Sequence, residues 1–323
     1  MLKRLPRPRA LAWRGRDGPL GPIVTPSDAR SSTRYEALDE LDLHEQPPTV
    51  TYCVAVKVDA GLVFASDSRT NAGFDQISTF RKMVVYERPG DRFMVLLSSG
   101  NLSISQSVRE ILQVERLAGE GPEATTIWNA SSMFEAARVL GHAVRRVDEQ
   151  DGPALRADGI DFGCTLIFGG QIKGEAMRLF LVYSTGNFIE ATAETCYFQI
   201  GEAKYGKPVL DRMLVPGMPL AEAAKCALVS IDSTLKSNVS VGLPIDLVVY
   251  QAGSLQCDEI VCIDDANPYF SMIRDSWGQR LREAFEGIDD PNWGSSDARY
   301  PLKVRSARYE VLRKIKSPEE KLV

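Results

Sequence analysis

The chain has 323 residues, 44% of them hydrophobic and 25% charged, and a formal net charge of −5. A chain of this size and composition buries a sizeable core, as one large domain or two small ones. It lacks the global basicity that holds nucleic acid and has no apolar run near the roughly 18 residues of a membrane span, so neither partner is expected.

Residues 1–50 differ from everything that follows. Seven prolines (Pro6, Pro8, Pro19, Pro22, Pro26, Pro47, Pro48) and clustered arginines leave no sustained period, which predicts a disordered extension. Ala10-Leu11-Ala12-Trp13 is too short for the apolar core of a secretory signal. From Thr51 the pattern sharpens. Tyr52, Val54, Val56 and Val58 alternate with Cys53, Ala55 and Lys57, a strand; Asp59-Ala60-Gly61 is a turn, and residues 62–66 return as a second strand. Residues 82–86 and 93–97 predict a second hairpin.

Two helices should follow. Ile104, Val108, Ile111, Leu112 and Val114 fall largely on one face, as do Met133, Ala137, Leu140, Val144 and Val147, with Asn101 and Ser131 as candidate N-terminal caps. Strands are expected over 164–168, 179–183 and 197–200. A helix over 220–235 turns Ala223, Ala224, Ala227, Leu228 and Ile231 inward. Strands over 245–251 and 259–263 and a helix over 270–285 complete the order. Hairpin-linked strands and paired helices predict an α+β fold, two stacked antiparallel sheets between two helical layers, although element order alone also fits other α+β folds. Three regions are expected: the extension 1–50, a folded domain 51–290, and a polar, basic tail 291–323 that serves as a surface tail or a subunit-contact arm.

Six cysteines (Cys53, Cys164, Cys196, Cys226, Cys257, Cys262) are scattered without a Cys-x-x-Cys pair, and the two histidines, His44 and His142, lie far apart. Buried reduced thiols of a cytoplasmic protein fit this better than a zinc site. No metal or organic cofactor is expected.

The chemistry-bearing residues sit at strand ends. Thr51 heads the first strand, Asp67 ends the second, and Lys82 begins the next hairpin. A threonine at a chain terminus can use its hydroxyl as nucleophile and its own α-amine as base. A free α-amine has an ordinary pKa of about 7.7–8.0, close to where a general base works best. An amide nitrogen has no such basicity, so a catalytic Thr51 must be the first residue of the mature chain. Asp67 lies where it can pair with Lys82, whose charge favours an alkoxide. Arg69 can clamp that acid or shape a substrate pocket. Ser99-Gly100-Asn101 offers backbone N–H groups before a helix, with Gly100 the candidate oxyanion-hole donor. Singly, each residue fits a structural role, such as a strand threonine, a turn or an edge charge. Their combination in this hairpin order points to chemistry.

The stretch from Thr51 to Lys82 resembles the start of proteasome β-type subunits, where Thr, Asp-x-Arg and Lys recur at nearly this spacing. TYCVAVKVDAGLVFASDSRTNAG followed by STFRKM resembles Anbu, a bacterial proteasome-related family, and the likeness runs from Thr51 to about Trp293. The resemblance implies the four-layer αββα sandwich of N-terminal nucleophile hydrolases. It also implies self-association into a large homo-oligomer and threonine peptidase or amidase activity on a peptide or protein substrate. By it Thr51 matches the nucleophile, Asp67 and Lys82 its charged partners, and Gly100 the oxyanion-hole glycine. Two positions depart from the proteasome pattern. Gly201-Glu202-Ala203 stands where proteasome subunits carry Gly-Ser-Gly, and Asp232 is followed by either Ser237 or Ser240 before the strand at Ile245.

Two routes expose Thr51. Residues 1–50 are either a propeptide, which the β-branched Val50 before the cleavage point disfavours, or the product of a start assigned too early. In the second case Val50 is encoded by GTG and read as the initiating methionine. If the extension stays on, the amine is blocked and the chain is a self-assembling scaffold. Glu202 would suit a narrower amidase by placing a carboxylate near a bound amine. No ATP-binding loop is present in the sequence, so any unfoldase would be a separate chain.

Overall fold

The alternation at Thr51 onward becomes β1 (Tyr52–Val58), which turns at once into β2 (Gly61–Asp67). The computed structural model describes residues 51–71, 77–117, 124–257 and 259–291, all within one unit, Pro47–Val323. The extension expected over 1–50, and all of the expected tail after residue 291, lie outside the described residues. Two short strands, β3 (Arg69–Asn71) and β4 (Ile77–Thr79), precede the second hairpin of β5 (Met83–Arg88) and β6 (Arg92–Gly100). Helices α1 (Leu102–Leu112) and α2 (Met133–Ala157) follow, then β7 (Cys164–Ile172), β8 (Arg178–Val182), β9 (Phe188–Glu190) and β10 (Tyr197–Gly201). The described chain closes with α3 (Lys207–Met213), α4 (Leu220–Ser237), β11 (Ile245–Gln251), β12 (Glu259–Ile263) and α5 (Pro268–Glu286).

The larger strands form two five-stranded antiparallel sheets, ordered β10-β1-β2-β11-β12 and β5-β6-β7-β8-β9, with β3 and β4 paired apart. Three apolar clusters separate the layers. Cys53, Phe64, Phe93, Ile167, Leu179 and Tyr250 pack between the sheets, where the Phe93 and Tyr250 rings stack with centroids 4.4 Å apart. Ile104, Val108, Leu140, Val144, Phe168 and Phe180 join α1 and α2 to the second sheet. Val54, Val63, Ala227, Ile231 and Phe270 join α4 and α5 to the first. The chain therefore folds as the α+β, four-layer αββα sandwich. Because successive residues point to opposite faces, Tyr52 and Val54 meet helices while Cys53 and Ala55 meet the other sheet. Both faces of β1 are covered, which is why the strand reads as a nearly unbroken apolar run.

Two details differ from expectation. Helix α1 stops at Leu112, so Val114 falls past the helical period and is 68% exposed. Ser132, not Ser131, caps α2: its hydroxyl accepts the Glu135 N–H at 3.1 Å, while the Glu135 carboxylate accepts from the N–H and hydroxyl of Ser131. This is a capping box shifted by one residue, with both serines in use. The short elements β3, β4, β9 and α3 had no sequence period long enough to announce them. Of the six cysteines, none in a disulfide, Cys53, Cys164, Cys196 and Cys226 are buried, Cys257 is partly buried and Cys262 is exposed. Among the described residues no helix is long and apolar enough to cross a membrane.

Leu140→Ala, at a fully buried point of α2, is expected to cost about 2–5 kcal/mol in urea unfolding. Val114→Ala should stay within about 0.5 kcal/mol of the parent.

Candidate active site

Strand β2 ends on Asp67, whose side chain is fully buried. One oxygen, Oδ1, accepts the backbone N–H of Tyr52 at 3.0 Å and the Lys82 ammonium at 2.7 Å. Lys82 Nζ also donates to the Arg69 carbonyl at 2.6 Å, and only 5% of the lysine side chain is exposed. A single carboxylate oxygen thus links the lysine to the peptide between Thr51 and Tyr52. Thr51 is itself 4% exposed, and its carbonyl accepts the Glu202 N–H at 2.7 Å. Burial pushes the Asp67 carboxyl above its ordinary value; the Lys82 charge and its hydrogen bond, with that of Tyr52, oppose the rise. A buried cation this close lowers the cost of negative charge at the head of β1.

Lys82 reaches the site because β6 holds its backbone. The Ser98 N–H donates to the Lys82 carbonyl at 3.0 Å, and the Ser98 hydroxyl donates to the same atom at 3.3 Å. Gly100, two residues along, ends β6 opposite Cys164. Gly100 has φ +101°, and a Cβ there would lie 2.1 Å from the Gly163 carbonyl oxygen, so only glycine fits. Beside it Asn101 caps α1, accepting the Ser103 N–H at 3.0 Å. Cys53 is close by but inert: burial pushes its thiol far up.

Arg69 does not reach Asp67 with its guanidinium. Its Nη1 donates to the Val239 carbonyl at 2.8 Å, and the side chain lies flat on Gly242, where a Cβ would come within 2.1 Å of Nε. It clamps the loop between α4 and β11. Ser68 holds the same loop, its N–H and hydroxyl both donating to the Pro244 carbonyl, at 3.1 and 2.6 Å. Ser240 sits in that loop, half-buried, with its N–H donated to Asn238 Oδ1 at 2.9 Å. Asn238 Nδ2 in turn donates to Glu202 Oε2 at 3.1 Å. Ser240 is therefore tied to Thr51 through Asn238 and Glu202, whereas Ser237 is exposed on the last turn of α4. Asp232 is fully buried, and its partners are Lys236 and Arg274, each 3.7 Å away; the second lies on α5. Sequence reasoning missed Asn238, although an asparagine just past a helix end is a usual place to find a side chain bonding to backbone.

No protein-family model and no curated protein matches the chain. Solved structures do. Anbu (ancestral beta-subunit) from Yersinia bercovieri is 50% identical, with a TM-score of 0.69 over 76% of this chain and 100% of that one. Anbu from Hyphomicrobium sp. strain MC1 is 47% identical, with a TM-score of 0.67 over 75% and 100%. The helical assembly of the Anbu complex from Pseudomonas aeruginosa is 44% identical, with a TM-score of 0.69 over 75% and 99%.

Asp67→Asn should destabilise the fold by about 3–5 kcal/mol in denaturant melts, because it strands the Lys82 charge, and adding Lys82→Met should recover most of that loss. Burial also pushes the Asp232 carboxyl up against the opposing charges of Lys236 and Arg274. The folded chain then binds this proton more tightly than the unfolded one. The contribution is complete below the unfolded value of about 3.9 and is lost as pH rises through the higher folded value. Relative to the parent, Asp232→Asn should therefore gain stability as unfolding is measured at rising pH; a relative loss would contradict the shift.

Proposed function

The chain belongs to the proteasome-related Anbu family, and from that premise we propose that it is a threonine-type hydrolase that cleaves peptide or amide bonds with Thr51 as nucleophile. The observation that carries this reading is the Asp67 oxygen shared by Lys82 Nζ and the Tyr52 N–H, at 2.7 and 3.0 Å. It supports the reading because a cation held near the head of β1 would favour an alkoxide on Thr51. Once Thr51 is the first residue, its α-amine takes the hydroxyl proton, directly or through water. The Thr51 oxygen attacks the carbonyl carbon, the Gly100 N–H receives the developing oxyanion, and the amine returns its proton to the leaving nitrogen. Water then releases the acyl group. Asp67 and Lys82 tune the nucleophile, Ser240 and Asn238 order the loop beside it, and Arg69 shapes the wall by clamping that loop. No step requires a metal or an organic cofactor.

Self-association belongs to the same reading. The Pseudomonas aeruginosa relative forms a helical assembly, and this chain is proposed to build a large homo-oligomer, ring or helix, from the domain 51–290. Six cysteines without a disulfide fit a cytoplasmic setting. A second reading, a non-catalytic scaffold of the same assembly, is favoured by Val50 before Thr51 and by Glu202 where the proteasome pattern has serine.

An electrophile that closes a ring with both the hydroxyl and the α-amine of an N-terminal threonine separates the two. The hydrolase reading expects an adduct on the Thr51 peptide, none in Thr51→Ala, and labelling slowed about 100-fold or more in Lys82→Met. Absence of any adduct on folded, assembled protein would favour the scaffold.

A further inference from the structure

Strand β10 runs antiparallel to β1, with Tyr52 opposite Gly201, so the residue facing Thr51 in that register is Glu202. The chain turns sharply there. Gly201 has φ +82°, and a Cβ on it would fall 1.8 Å from the Thr51 carbonyl oxygen. Only glycine can pass so close, and the turn delivers Glu202 within one hydrogen bond of Thr51, its N–H donating to that carbonyl at 2.7 Å.

The Glu202 carboxylate is held but not neutralised. Oε2 accepts from Asn238 Nδ2 at 3.1 Å, and Oε1 accepts from the Lys204 N–H at 3.4 Å. Asn238 is in turn fixed at the end of α4, where its own N–H donates to the Thr234 carbonyl at 2.9 Å. Among the described residues, no cationic side chain lies within salt-bridge distance of Glu202, although it is half-buried. Lys204, two residues past Glu202, is exposed and approaches it only through its backbone N–H, and the other charges around the head of β1 have partners of their own. Lys82 is paired with Asp67, and Asp246 on β11 is paired with Arg81. Arg69 on β3 is spent on the Val239 carbonyl, and Lys236 of α4 lies against Asp232. Lys207, at the start of α3, pairs with Asp211. The loop 238–244 and the β6 end 98–100 carry no charge. One carboxylate is left over, next to the residue whose nitrogen would become an ammonium.

We propose that Glu202, oriented by Asn238, is the positioning carboxylate for the α-amine of Thr51. The inference rests on the reading that Thr51 is the mature terminus. Glu202 anchors the ammonium with a full charge, where a serine hydroxyl would offer only a neutral hydrogen bond, and fixes the nitrogen relative to the threonine hydroxyl. It also has an electrostatic cost. An opposite charge favours the protonated amine, so the amine becomes a free base at higher pH than it would beside an uncharged group, and the hydrolase works best on the alkaline side. The amine of a bound substrate would have to compete for the same carboxylate.

The test reads the amine directly and needs no turnover. Competitive acylation of the assembled protein is followed across pH, and the Thr51 N-terminal peptide is quantified after digestion. Glu202→Gln keeps the side-chain shape and an oxygen for Asn238 but removes the charge. Its amine midpoint should fall by about 0.5–1 pH unit, a shift that a purely structural role would not produce. Asn238→Leu releases the carboxylate without removing it and should lower the midpoint by less; it also serves if Glu202→Gln fails to fold. An unchanged midpoint in the folded variants overturns the proposal and leaves the hydrolase reading standing. A digest without a Thr51 N-terminal peptide overturns the hydrolase reading, and this inference with it.

Discussion

A lysine ammonium with almost no solvent, facing a carboxylate with none, governs the head of β1. Taking both charges out of water costs several kcal/mol per ion, and only close geometry with further hydrogen bonds offsets it. Those bonds come from backbone: the Arg69 carbonyl on the lysine and the Tyr52 N–H on the carboxylate. The pair therefore requires β1, β2 and the turn after β2 to be in register. It also needs Lys82 delivered from the opposite sheet, where Ser98 holds its carbonyl. An ion pair that depends on two sheets at once reports on the whole sandwich.

The rest of the site depends on close backbone approaches and on one clamped loop. Gly100 and Gly201 each occupy a place where a side chain would strike a neighbouring carbonyl, that of Gly163 for the first and that of Thr51 for the second. The loop between α4 and β11 is held from one side by Arg69 and Ser68 and from the other by Asn238 and Glu202. Ser240 owes its position to this clamp rather than to any helix or strand. The segments around Thr51 are consequently held by backbone contacts and by this clamp.

Local order was readable where a period was long. The β1 alternation, the buried face of α2 and the bounds of β11 and β12 all follow from residue pattern. Three-residue strands such as β3 and β9 carry too little pattern to read, and Val114 was misplaced because periodicity continues on paper after a helix has stopped. In the site, the approach of Asp67 to β1 was legible because a tight hairpin leaves the two strands no other arrangement. Hairpin order also made the meeting of Asp67 and Lys82 a reasonable expectation. The true partner of Arg69 was not legible, since Val239 lies 170 residues away and the contact exists only once the loop closes over the sheet. The same holds for Asn238 and Glu202, 36 residues apart and joined across the end of α4.

What joins fold to function is whether the nitrogen of Thr51 is an amine. The most direct measurement is the intact mass and N-terminal sequence of the protein purified from its own host. The account predicts a chain that begins at Thr51, with a free α-amine beside Glu202 and Lys82. A mature chain that still carries residues before Thr51 would contradict it, because an amide nitrogen cannot act as the base.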